Sequence, residues 1–118
     1  MKYVLLACVT DKPIHYEVAK KYGEKARIVQ LNYSFITNYA EQSKEVAQNI
    51  VDNLAEFLKT EYDSNRDELY VLLVGGIFHN AVVTKFLAEN SYKFKYLVYE
   101  KKVKGLVEID ADTFICSP

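Results

Sequence analysis

Gly75, Gly76, His79 and Asn80 stand where an apolar run beginning at Tyr70 (YVLLVGGIFHN) gives way to the helical spacing Ala81, Val82, Phe86, Leu87. A β-branched run that stops at two glycines and restarts with helical spacing reads as a buried parallel strand, a tight turn and a helix N-terminus. Such a junction aims free backbone N–H groups, and the positive end of a helix dipole, at whatever binds there. The chemistry it suits is capture of an anionic oxygen. Thr10, Asp11 and Lys12 close the first apolar run, Tyr3 to Val9, and supply a hydroxyl, a carboxylate and an ammonium. Ser34 follows the second run, Ala26 to Leu31. The Thr10 hydroxyl suits donation to phosphate or ribose, and His79 suits donation to phosphate or general acid catalysis.

Each of these residues also has an ordinary structural role. The glycine pair serves as turn chemistry, because glycine reaches positive φ cheaply and lets a helix pack closely on a strand. Thr10 and Asp11 serve as helix caps, as does Asn80. Lys12 reads as a solvated surface charge, and a histidine without a partner as polar surface. Tyr33 and Tyr39 suit base stacking, but a chain with 10 tyrosines places several near any site.

The elements that must position these groups follow from the periods along the chain. Tyr3–Val9 suits a central strand, and Pro13 is tolerated in the first turn of a helix carrying Ile14, Val18, Ala19 and Tyr22. Gly23 sits where a left-handed C-terminal residue is wanted. After the second strand, Asn38 with Glu41 forms a capping-box pattern, and Val46, Ile50, Leu54, Phe57 and Leu58 trace one face of a long helix ending near Lys59 or Tyr62. The segment from Glu61 to Asp67 is a polar loop. Lys95–Glu100 and Val103–Ile109 are separated only by a few lysines, too close for a crossover, and predict an antiparallel hairpin. The order β-α-β-α-β-α-β-β predicts an α/β fold: a Rossmann-like open, mostly parallel sheet with helices on both faces and a C-terminal β-hairpin. Right-handed crossovers put the first strand between the second and third, with the switch point between strands one and three. That topology gathers Thr10, Asp11, Lys12, Gly75, Gly76, His79 and Asn80, with Ser34 close enough to join them.

Composition bounds the function class. The 118 residues, half of them hydrophobic, suit one compact core and a single domain. With 15 basic and 16 acidic side chains the net charge is −1, so no global positive field points to duplex nucleic acid, and any phosphate contact must be local. No apolar run approaches the roughly 18 residues a membrane span needs, and no basic-then-apolar leader is present. The expectation is a soluble, cytoplasmic protein with no membrane partner. Cys8 and Cys116 have neither metal-knuckle spacing nor disulfide density, and read as two reduced thiols. The chain carries no phosphate loop of the GxxxxGK[ST] type, no GxGxxG fingerprint, no GxSxG elbow and no HExxH pair, which leaves a conventional kinase, dehydrogenase, hydrolase or zinc enzyme unsupported.

The first strand YVLLACV followed by TDKPI, the segment EQSKEVAQNIVDNLAEFL, and the third strand ending in VGGIFHNAVVTKFL resemble CARF domains, the CRISPR-associated Rossmann fold. The hairpin YLVYEKKVKGLVEID resembles the strands that close many of them, so the likeness spans roughly residues 3 to 110. It rests on order and pattern more than on an invariant signature. Many members run their third strand into a TGGTK-like turn. Here Val74, Gly75, Gly76, Ile77 and Phe78 occupy those positions: the glycines match, the threonines and lysine do not, and His79 and Asn80 are the nearest polar substitutes.

The resemblance implies a homodimer that binds cyclic oligoadenylate, the second messenger of type III CRISPR immunity, across its two-fold axis. Repeated phosphates on a cyclic ligand suit two copies of one anion-binding loop set. A stand-alone copy implies a ring nuclease or a non-catalytic sensor or sponge. Ring cleavage of this class needs no metal and no cofactor, because the ligand's own ribose 2′-hydroxyl attacks the adjacent phosphate when the two are held in line. In that scheme Thr10 and Ser34 hold ribose or phosphate and the Gly75 and Gly76 N–H groups stabilise developing charge. Lys12 or His79 assists electrostatically or protonates the leaving oxygen. Two readings from other classes stand beside it: a structural or interaction protein that merely uses Rossmann-like packing, and a small nucleotide or phosphate-ester binder unrelated to CRISPR signalling.

Overall fold

The computed structural model describes residues 1–10 and 12–111. Asp11, expected at the ligand site, and the tail with Cys116 lie outside the described residues. The described chain forms β1 (Lys2–Leu6), α1 (Ile14–Tyr22), a 3-10 turn at Gly23–Lys25, β2 (Ala26–Gln30), α2 (Tyr39–Thr60), β3 (Glu68–Leu72), α3 (Ile77–Glu89), β4 (Lys95–Glu100) and β5 (Gly105–Asp110). The strands lie in the order β2-β1-β3-β4-β5, parallel except for the antiparallel β4–β5 hairpin. This is a mostly parallel five-stranded sheet flanked by helices, with generic Rossmann-like topology.

Alternation along the strands divides the core. Tyr3, Leu5, Ala7, Leu69 and Val71 face α2 and α3, where Ile50, Leu54, Val83 and Leu87 are fully buried. Val4, Leu6, Tyr70 and Leu72 face the opposite way, onto Ile14 and Val18 of α1. Apolar residues on both sides of β1 and β3 explain why these strands read as unbroken runs.

Strand and helix ends differ from the sequence expectations in informative ways. The first apolar run stays buried through Cys8, yet β1 stops at Leu6, and β3 stops at Leu72 although Leu73 and Val74 are apolar. The Val74 N–H turns back to the Leu72 carbonyl at 2.9 Å, which takes it out of the ladder. The Leu73 N–H still donates to the Leu97 carbonyl of β4 at 3.0 Å and Val74 joins the core cluster of Val4, Leu6 and Leu72, so the core runs on past the last residue of the strand.

α1 begins one residue after Pro13 with no side-chain cap. The cap expected from Thr10 is not made: its Oγ1 accepts the Lys12 N–H at 3.2 Å, a local turn that holds the loop instead. Gly23 does end α1 at positive φ (+62°).

α2 follows its expected N-cap: Asn38 Oδ1 accepts the Glu41 N–H at 3.3 Å. The returning arm of the box comes from Gln42, whose Oε1 accepts the Asn38 and Thr37 N–H groups at 2.9 Å. α3 starts at Ile77 with Gly76 as its N-cap, so Asn80 is a first-turn residue and not a cap. The buried stripe of α3 is His79, Asn80, Val83 and Leu87, and Ala81 faces outward. β5 begins at Gly105 because the turn from Glu100 uses Val103, which is exposed, and Lys104, which takes positive φ (+53°).

Candidate functional site at the carboxyl edge of the sheet

The loops leaving β1 and β3 touch at the switch point, and Cys8 with Gly75 makes the contact. Gly75 has φ of +77°, a conformation in which a side chain is strained. A Cβ built on it would stand 2.0 Å from Cys8 Sγ, so sulfur already occupies that space. The thiol is buried and donates to the Val74 carbonyl at 3.1 Å. Gly76 has ordinary φ (−67°), but a Cβ there would stand 2.6 Å from His79 Nδ1. The twin glycines therefore answer two different neighbours, a sulfur from β1's exit and an imidazole from the first turn of α3. Gly75 itself remains exposed, which keeps its outer face open to an approaching ligand.

The mouth of α3 is poor in anions and uncapped. No side chain caps it, and its first turn carries no acidic residue. The leading N–H groups of a helix have no intrahelical partner, so this 13-residue helix presents donors and a positive dipole end toward the crest. Beside them, His79 is only 5% exposed, and neither ring nitrogen has a hydrogen-bond partner. Burial holds its pKa below the ordinary imidazole value of 6.5, favouring the neutral ring. The expectation of polar surface for His79 is thus overturned: the side chain folds inward onto Gly76 and the Phe78 ring, whose centroid lies 5.9 Å away. Asn80 Nδ2 donates to the carbonyls of Val74 (3.0 Å) and Gly76 (3.1 Å), bracing the turn, while its Oδ1 is buried without a partner. Buried polar atoms left unpaired are uncommon, and three of the four recorded among the described residues belong to His79 and Asn80.

The β2 exit joins the same edge. Gln30 Nε2 donates to the Cys8 carbonyl at 3.2 Å and the Asn32 carbonyl at 2.7 Å. Buried Asn32 in turn holds Ser34, donating to its carbonyl at 2.7 Å. Ser34 is exposed on this loop, Thr10 is half-buried, and Lys12 is exposed with no carboxylate partner among the described residues. No hydrogen bond among the described residues joins Thr10, Lys12 or Ser34 to Gly75, Gly76, His79 or Asn80. The structure thus brings together the β1 and β3 crests through Cys8 and Gly75, and leaves Thr10, Lys12 and Ser34 on the loops that leave β1 and β2. Cys8 and Gln30 were missed from sequence as parts of this edge. Only Gln30, a polar residue directly after the apolar Ile28 and Val29, gave a signal.

Large apolar side chains rim the edge. Ile77 is 89% exposed, Tyr33 76% and Phe35 70%. Tyr39, at the start of α2, meets the Phe78 ring edge-on at 6.0 Å.

A cavity of about 960 Å³ lies at the opposite edge, by the starts of β3 and β4 and the end of α3. Its carboxylates are committed to internal partners: Asp67 to Arg66, Glu68 to Lys2, and Asp110 to Lys95. Three of the four unpaired buried polar atoms recorded among the described residues and the uncapped start of α3 are at the carboxyl edge, and the topological switch point is there too. Among the described residues no group of three or more His, Cys, Asp or Glu side chains is placed to hold a metal, and no helix is long and apolar enough to cross a membrane. Compared with known proteins, the chain matches no family model, no curated protein and no solved structure.

Proposed function

We propose that the carboxyl edge of the sheet binds a phosphate-bearing ligand, and that this ligand is a cyclic oligoadenylate held by a homodimer, as the resemblance to CARF domains implies. The observation that supports this reading most directly is the uncapped N-terminus of α3 beside His79, whose ring nitrogens are buried and unpartnered. A phosphate oxygen accepting the N–H groups of the first turn would relieve the unpaired donors and sit at the positive end of the dipole. Lys12 and the Thr10 hydroxyl would add a charge and a donor from the facing crest, and Ser34 a further hydroxyl. The exposed Ile77, Tyr33 and Phe35 around the edge fit burial against a second copy.

Binding is better supported than turnover. Both nitrogens of His79 are covered, so the imidazole reaches a leaving oxygen only after its ring leaves Gly76. Cleavage by the ligand's own 2′-hydroxyl would rest on alignment by backbone N–H groups, with Lys12 as the accessible cation.

Incubation with cyclic tetra- and hexa-adenylate in EDTA, followed by chromatography, separates the readings: linear products establish a metal-independent ring nuclease, and unchanged rings with tight binding establish a sensor or sponge. A ligand at 100-fold its dissociation constant stabilises by about 2.7 kcal/mol, a readily measured rise in melting temperature. No rise with either ring, nor with mononucleotides, would leave an interaction protein that uses this fold without a ligand.

A further inference from the structure

One run of side-chain hydrogen bonds crosses the carboxyl edge, and Cys8 is its middle link. Gln30, at the end of β2, reaches the Cys8 carbonyl and the Asn32 carbonyl with one amide nitrogen. The Cys8 thiol reaches the Val74 carbonyl at the end of β3, and Asn80 reaches that same carbonyl and Gly76's. Exits of three strands and the first turn of α3 are thereby tied together through a residue that is only 4% exposed. Gly75 packs on the same sulfur, at a distance no other side chain atom could share. The Cys8 thiol both donates to the Val74 carbonyl and fills the space beside Gly75, so one side chain links the two crests by a bond and by contact.

We propose that Cys8 is a positioning residue for the anion site: without touching the ligand, it sets the separation of the β1 and β3 crests and the orientation of the Gly75–His79 backbone donors. The inference rests on the anion-binding reading of this edge. It differs from a purely structural role in a way that can be measured. Loss of core packing lowers stability in proportion to the volume removed, whereas loss of positioning lowers affinity in a chain that is still folded. Serine retains a donor for the Val74 carbonyl, and alanine retains neither donor nor bulk.

The test compares wild type, Cys8→Ala, Cys8→Ser and Gln30→Met. Far-UV circular dichroism fixes a temperature at which each is folded, amide NMR spectra follow residues 74–80 without ligand, and calorimetry gives affinities for cyclic tetra- and hexa-adenylate. Cys8→Ala is expected to move the Gly75–Asn80 amides and to weaken binding at least tenfold, with Cys8→Ser restoring most of the affinity and Gln30→Met falling between. Wild-type affinity in Cys8→Ala overturns the proposal, as does a serine variant no better than alanine. If alanine prevents folding, Cys8→Ser and Gln30→Met carry the test: amides 74–80 moved and affinity reduced support it, and both unchanged overturn it. Should wild type bind neither ring, the anion-binding reading fails by itself, and the free-state amides judge the brace: residues 75–80 unmoved in Cys8→Ala overturn it.

Discussion

Gly75→Ala should destabilise the protein by two separable amounts. The first is backbone strain: at φ of +77° a Cβ crowds the neighbouring carbonyl, at about 1–2 kcal/mol. The second is collision, since the new methyl would stand 2.0 Å from Cys8 Sγ. The sulfur cannot rotate away freely, because it is buried and donates to the Val74 carbonyl. Overpacking of this kind costs about 1–3 kcal/mol. The single substitution is therefore expected to cost about 2–5 kcal/mol, the sum of those two ranges. In a Cys8→Ala background the sulfur is gone and the nearest remaining atom is the residue 8 Cβ at 3.5 Å, an ordinary contact. Gly75→Ala should then cost only the strain, about 1–2 kcal/mol. Urea denaturation of the four proteins, with matching m values, gives a coupling energy of about 1–3 kcal/mol as the difference. Equal cost of Gly75→Ala in both backgrounds would refute the claim that Cys8 fills the space beside this glycine.

Three further outcomes are expected. Gly76→Ala, at ordinary φ, should destabilise through its approach to His79 Nδ1 at 2.6 Å, and His79→Ala should relieve most of that cost in the same denaturation assay. His79 should titrate below 6.5 when followed by NMR in a His15→Gln variant, which leaves one imidazole; its folded pKa being depressed, the stability it contributes is complete above that value and is lost as pH falls toward the folded pKa. Asp67, held down to about 2 from 3.8 first by its hydrogen bond from Arg66 and also by one from the Asp63 N–H, should lend stability above pH 3.8 that is lost as pH falls toward 2, and acid denaturation of Arg66→Gln should show a weaker loss across that window.

Element order, the parallel sheet and the crossing point of β1 and β3 were legible in the chain itself. Apolar runs of strand length and stripes such as Val46, Ile50, Leu54 report burial element by element, and Asn38 and Gly23 punctuate the helices through bonds or dihedrals made within a few residues. Element ends were less legible, because Leu73, Val74 and Cys8 are apolar for a reason the strand pattern does not distinguish: the core runs on past the last residue of the strand. The side chains at the site were decided only by tertiary structure. Cys8 meets Val74 and Gly75 across more than sixty residues of chain, and a lone sulfur inside an apolar run looks the same whether or not a glycine faces it. His79 reads as surface in a sequence, yet it is turned inward because Gly76 lacks the Cβ that would exclude its ring. Local composition determines which stretches bury a face; the neighbours each buried atom meets are set by how distant stretches are brought together, and the character of this edge depends on those neighbours.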